Sequence, residues 1–355
     1  MSCLKFCRDL AVAGLVAAAW PGAAQASLPG PLERPALAMR QPARAALLGL
    51  AQAGERLVAV GERGVVLLSD DAGQSWRQAA GVPVSVTLTA VQFVNARMGW
   101  AVGHYGVVLK SEDGGEHWTR QLDGNGIAQR VLQDATAHAS PKAVTEAQRM
   151  VQEGTDKPLL ALNFVNEREG LVAGAFNLLL STADGGQTWQ AISSRLDNPK
   201  AAHLYAMYRN GPELLLAGEQ GLLLHSADGG QRFERIATPY AGSYFGVTVD
   251  AAGAWLVAGL RGNVLRSTDS GANWTTLVNP VPVSVTALMR DAQGVWLANQ
   301  AGQLLMPEAG SNQLKPVGTT AAQQPSALLR LADGSLLIVG WNGVTRIPFD
   351  KSVKP

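Results

Sequence analysis

The sequence predicts an all-β protein of seven tandem units closed into a ring, with one short helical insertion, and three observations predict it. An eight-residue phrase, Ser/Thr-x-Asp-x-Gly-x-x-Trp/Phe, occurs at Ser69 to Trp76, Ser111 to Trp118, Thr182 to Trp189, Ser226 to Phe233 and Ser267 to Trp274. Glycines that separate two short apolar runs fall at Gly61, Gly103, Gly174, Gly218, Gly259 and Gly340, with Asn299 at the matching place, and their spacings are 42, 71, 44, 41, 40 and 41 residues. Short apolar runs punctuated by turns, repeated about every forty residues, are the pattern of a four-stranded propeller blade. The expected fold is therefore a seven-bladed β-propeller of four-stranded blades.

The first stretch of chain reads as an export signal. Lys5 and Arg8 precede an apolar run from Leu10 to Trp20, and Ala24-Gln25-Ala26 forms an A-x-A cleavage site before Ser27. Residues 1–26 are thus expected to be a signal peptide and residues 27–355 a single mature domain, periplasmic and soluble, because the apolar run is too short to span a bilayer. Both cysteines, Cys3 and Cys7, lie in this leader, so the mature chain has no thiol for a disulfide, a nucleophile or a zinc site. The whole chain carries a net charge of +1, and losing Lys5, Arg8 and Asp9 with the leader leaves acids and bases in balance. Balanced charge gives no basis for binding nucleic acid or anionic lipid, so membrane association is expected only through a partner.

Unit two sets the strand pattern: Leu88 to Val94 innermost, then Gly99 to Val102, Val107 to Ser111 and Trp118 to Gln121. In the repeated phrase the aspartates Asp71, Asp113, Asp184, Asp228 and Asp269 are suited to accept hydrogen bonds from the N–H groups of a tight turn. The glycine supplies backbone angles that a Cβ forbids, and the terminal aromatic packs beneath. Units six and seven keep the strand pairs but lack the phrase. The last unit shows only three strands, and a stretch within Leu37 to Ala45 is expected to add its fourth and close the ring.

Between units two and three, at about 123–158, the β pattern fails. Ile127, Val131, Leu132 and Ala135, then Val144, Ala147, Met150 and Val151, recur at helical spacing, and Ser140-Pro141 reads as an N-cap with proline in the first turn. Two short helices are expected.

The five aspartate phrases are those of the Asp-box, or bacterial neuraminidase repeat, of β-propellers. The longer phrase around them, with Val102-Gly103-His104-Tyr105-Gly106-Val107-Val108-Leu109 before Ser111, resembles the photosystem II stability/assembly factor family over about residues 45 to 348. That resemblance implies an exported, non-enzymatic scaffold that binds a protein partner, with no cofactor and no metal. Relatives outside photosynthetic cells look like accessory proteins of envelope complexes, with resistance-nodulation-division (RND) exporters as one candidate client, and a monomer is expected. The rival reading is a carbohydrate-binding or sialidase-type propeller. Arg346-Ile347-Pro348 resembles the sialidase arginine motif, but it closes the last unit whereas that motif belongs near the start of the catalytic domain.

In a propeller, the turns between second and third strands share a face with the crossings from one blade to the next, opposite the Asp-boxes. That face is the expected partner site. From the turns it takes Glu62, Arg63, His104, Tyr105, Phe176, Asn177, Glu219, Arg261, Trp341 and Asn342, and from near the crossings Tyr205 and Tyr244, because aromatics and arginines are favoured at binding hot spots. The helical insertion leaves from a crossing and belongs to the same surface.

Overall fold

The structure, a computed structural model, describes residues 29–138, 140–154 and 156–348. The expected leader lies outside the described residues. Seven antiparallel sheets form the ring, six of four strands and the last of three. Blade two runs Leu88–Phe93, Gly99–Gly103, Val108–Ser111 and Thr119–Leu122 from the channel outward, each strand paired to the next. The strand limits agree with the sequence reading to within a residue.

The second strand of each blade is sandwiched between neighbouring blades, which is why it reads as an unbroken run of small apolar residues rather than an alternation. Gly99–Gly103, Gly170–Gly174, Trp255–Gly259 and Leu336–Gly340 are buried at every position. The core therefore sits between blades. One cluster joins Val58, Val60 and Leu68 of blade one to Val91, Leu109 and Trp118 of blade two. Between blades two and three, Trp100 stacks on Phe164 with ring centroids 3.8 Å apart.

Blade seven corrects one expectation. Its sheet is Ala327–Arg330, Leu336–Gly340 and Gly343–Ile347, and residues 37–45 add no strand to it. Pro42 instead opens a single 3-10 turn, Pro42–Arg44, and Ala43 presses against Gly343 so closely that a Cβ there would meet its carbonyl oxygen. A proline has no N–H to offer a ladder, so this segment closes the ring by packing and not by strand addition. Met39 joins Leu47, Ala59, Leu67, Val339 and Val344 in a cluster between the first and last blades, and the Ser326 hydroxyl donates to the Leu47 carbonyl at 2.6 Å.

The insertion forms two helices, α1 (Gly124–His138) and α2 (Pro141–Glu153). Ser140 caps α2, its hydroxyl accepting from the Ala143 N–H, with Pro141 in the first turn. The buried Ile127 anchors α1 beside Gly106, Arg130 donates to the Trp189 carbonyl at 2.9 Å, and Asp134 accepts from the Ser194 N–H and hydroxyl.

Candidate binding face

The five aspartate turns are built as their residue types demand. In the first, Asp71 Oδ1 accepts from the Gln74 and Ser75 N–H groups and the Ser69 hydroxyl, while Oδ2 takes the Ser75 hydroxyl at 2.6 Å. Asp113, Asp184, Asp228 and Asp269 repeat the arrangement with His117, Thr188, Arg232 and Asn273. These bonds favour the ionised carboxylate. The Ser75 hydroxyl and N–H hold Asp71 at a pKa of about 2, and the Thr188 hydroxyl and N–H hold Asp184 at about 2. Each carboxylate is occupied with its own turn.

On the opposite face the turns between second and third strands lie on the inter-blade crossings. The His104 N–H donates to the Thr87 carbonyl, the Gly221 N–H to the Gly242 carbonyl, and the Trp341 N–H to the Gln323 carbonyl. The Phe176 N–H donates to His203 Nδ1 at 3.1 Å and the Arg261 N–H to the Ser284 hydroxyl at 3.2 Å. Turns and crossings thus form one surface.

The backbone of these turns carries information absent from their composition. Arg63, Tyr105, Phe176, Gln220 and Arg261 occupy equivalent positions with φ of 55°, 57°, 53°, 54° and 57°, the left-handed region that glycine adopts freely. The next residue is also left-handed. It is glycine in four of the five turns, and at Gly64 and Gly221 a Cβ would collide with the carbonyls of Val84 and Tyr240 on the crossing. The exposed position has no such restriction, yet it holds large side chains at a backbone cost of roughly 1 kcal/mol each. In the aspartate turns, by contrast, left-handed positions are filled by glycines, with Ala72 and Ser270 the exceptions.

The residues singled out from the sequence fall into three groups. Arg63, His104, Tyr105, Phe176, Arg261 and Trp341 are exposed, Trp341 most of the aromatics at 61 %. Glu62, Asn177, Glu219 and Asn342 are at the same turns but hold the crossings. Glu62 accepts from the Ala46 N–H and Glu219 from the His203 N–H, Asn177 donates to the Ser193 carbonyl, and Asn342 accepts from the Gln323 N–H. Tyr205 is half-buried at the channel mouth, in an arc of rings running Phe176, His203, Tyr205, Phe245 with centroids 4.6, 6.2 and 5.6 Å apart. Burial, and then the charge of Glu219, push its hydroxyl pKa up.

Tyr244 does not belong to the surface. It is fully buried, its hydroxyl 2.7 Å from Thr238 Oγ1. The cause is a bulge near the start of the inner strand: the register shifts between Leu204 and Ala206 in blade four and between Tyr244 and Gly246 in blade five. The bulged residues are Tyr205 and Phe245, so Phe245, not Tyr244, is the counterpart of Tyr205.

The sequence reading also missed a cleft of about 510 Å³ between the insertion and blade three, lined by Val131, Met150, Phe176 and Leu178 among others. Arg346 is paired with Asp333 on the last blade. Among the described residues no group of three His, Cys, Asp or Glu side chains could hold a metal ion, and no helix is long and apolar enough to cross a membrane.

The fold and its face define a repeat β-propeller that presents large side chains on one rim. The family model described as photosynthesis system II assembly factor YCF48 matches residues 140–313. Among solved structures, "YCF48 bound to D1 peptide" aligns with a TM-score of 0.64 at 18% identity, covering 91% of this chain and 100% of that one. YCF48 from Cyanidioschyzon merolae aligns at 0.61 and 16%, covering 87% and 97%, and a streptogramin B lyase at 0.65 and 14%, covering 90% and 97%. No curated protein sequence matches. At these identities the structural likenesses speak to the fold, which enzymes share. The family model adds a likeness to the photosystem II assembly factor-like family over residues 140–313, within a chain whose fold is a β-propeller.

Proposed function

We propose that the mature chain is a periplasmic accessory factor that performs no chemistry and binds a segment of a protein partner on the face opposite the aspartate turns. The partner is a component of an envelope complex, with an RND-type exporter as the first candidate. The observation that carries the reading is the set of exposed, left-handed Arg63, Tyr105, Phe176, Gln220 and Arg261 side chains, one on each of the first five blades. Backbone strain kept at exposed positions where glycine would relieve it points to side chains retained for contact. Aromatics and arginines are the types that carry binding energy. A relative of the same fold has been solved with a bound peptide, which supports a protein segment as the ligand. The A-x-A site at Ala24 to Ala26 supports export.

The test is affinity capture from the native envelope with three versions of the mature chain. Wild type and Val165→Glu should retrieve the same client, because Val165 is exposed on the aspartate-turn side. Arg63→Glu/Arg261→Glu should lose it while remaining folded. Loss with Val165→Glu and retention with the double variant would place the contact on the other side of the ring.

A further inference from the structure

The cleft between the insertion and blade three exists because the residues facing it are small. Ala135 of α1, Ala143 and Ala147 of α2, and Ser193, Ser194 and Ala201 of the crossing after blade three surround a space of about 510 Å³. Its floor is apolar, formed by Val131, Met150, Leu178 and the ring of Phe176. An apolar space of roughly 150 Å³ holds a benzene ring, so this one has room for about three apolar side chains. Volumes of roughly 300 to 1,000 Å³ are usual for ligand sites. Leaving such a space unfilled forgoes packing between the insertion and the blade.

The charges around the cleft select against an ionic ligand. Asp134 already accepts from the Ser194 N–H at 3.0 Å and hydroxyl at 2.7 Å, and Glu146 lies 3.8 Å from Lys142. Arg149 is paired with Glu153, and Lys157 lies 2.8 Å from Asp156 and 5.1 Å from the centre of the Phe176 ring. Each of the five lining charges among the described residues has a partner within the chain. The unmet requirement is apolar surface. Phe176 is both a wall of the cleft and a member of the exposed set on the binding face, so an occupant would continue onto that face.

We infer that the cleft receives an uncharged stretch of a partner polypeptide that inserts two or three apolar side chains against Val131, Met150, Phe176 and Leu178. This rests on the reading of the face as a peptide-binding surface and assigns that peptide's anchor. Met150 suits such a site, since its flexible thioether adapts to differently shaped side chains. The binding mode is a groove reading apolar anchors, with the remaining contacts on the rim.

The experiment selects from a random dodecapeptide library on the full mature chain and measures the chosen peptides by fluorescence anisotropy against filled and unfilled clefts. Ala147→Phe fills the floor from α2, and Ala143→Leu fills it from a half-exposed position should the first not fold. Ala147→Ser keeps the space and serves as control. The expected result is peptides sharing two or three apolar anchors, bound equally by wild type and Ala147→Ser, and weakened about thirtyfold by either filling substitution. Peptides insensitive to both filling substitutions, or anchored by charged residues, would overturn the assignment. So would a self-association that filling abolishes, since the occupant would then be a second copy. If filling leaves peptide and client binding intact but Arg63→Glu/Arg261→Glu abolishes client capture, the cleft assignment falls and the binding face stands. If neither weakens capture, both fall.

Discussion

The two faces of the ring solve the same backbone problem differently. Both are made of tight turns with left-handed residues. On one face those positions are mostly glycine and the carboxylates of Asp71, Asp113, Asp184, Asp228 and Asp269 are consumed by their own turns. On the other, Arg63, Tyr105, Phe176, Gln220 and Arg261 hold left-handed positions and project into solvent. The first face is shaped for stability. The second holds large side chains at left-handed positions, the feature on which the proposed partner site rests.

The largest effect should come from the scaffold side. Trp118 is 4 % exposed, packs edge-on against Phe93 and donates to the Gly115 carbonyl at 2.8 Å. Trp118→Ala should cost about 3 to 5 kcal/mol in chemical denaturation, with client capture by the folded fraction unchanged. A folded Trp118→Ala protein with full stability but no capture would reverse the assignment of the faces. Next in size is Arg63→Glu/Arg261→Glu, expected to weaken the client by about 2 kcal/mol or more while stability moves by no more than about 0.5 kcal/mol at each exposed site.

Acid should act on the aspartate face. The carboxylates of Asp71 and Asp184 have folded pKa values of about 2, below the ordinary 3.8, so their stabilising contribution is complete above about pH 4 and is lost as pH falls toward 2. Melting temperature should therefore drop across that window, and Asp71→Asn should flatten the drop while lowering stability at neutral pH. An unchanged acid profile in Asp71→Asn and Asp184→Asn would show that the depressed carboxylates do not support the turns.

Most of this architecture was legible in the sequence because each unit writes its own turns. Gly61, Gly103 and Gly174 mark where second strands end, and Asp113 with Ser111 marks the next turn, all through local chemistry. The insertion was legible from Ile127, Val131 and Ala135, and its second helix from Ser140-Pro141. Three features were not. The three strands of the last unit point to a fourth within residues 37–45, yet Pro42 turns that stretch aside. Tyr244 and Tyr205 looked alike because a two-residue period cannot register the bulge that sends one inward and the other to the channel. The cleft was hidden because Ala135, Ala143 and Ala147 read as ordinary helix formers, and only the packing of α1 and α2 on blade three reveals the space beside them.

The central claim is that left-handed side chains on the partner face are kept for contact at the expense of stability, and a matched pair of glycine substitutions tests it most directly. Ala72, at φ 56°, lies in an aspartate turn, and Tyr105, at φ 57°, lies on the partner face. Relief of left-handed strain, partly offset by the added freedom of glycine in the unfolded chain, should stabilise each variant by about 0.5 to 1 kcal/mol. Measured together by thermal melting and client capture, both should melt higher, and only Tyr105→Gly should lose affinity. A Tyr105→Gly protein that captures its client as well as Ala72→Gly and wild type would contradict the account.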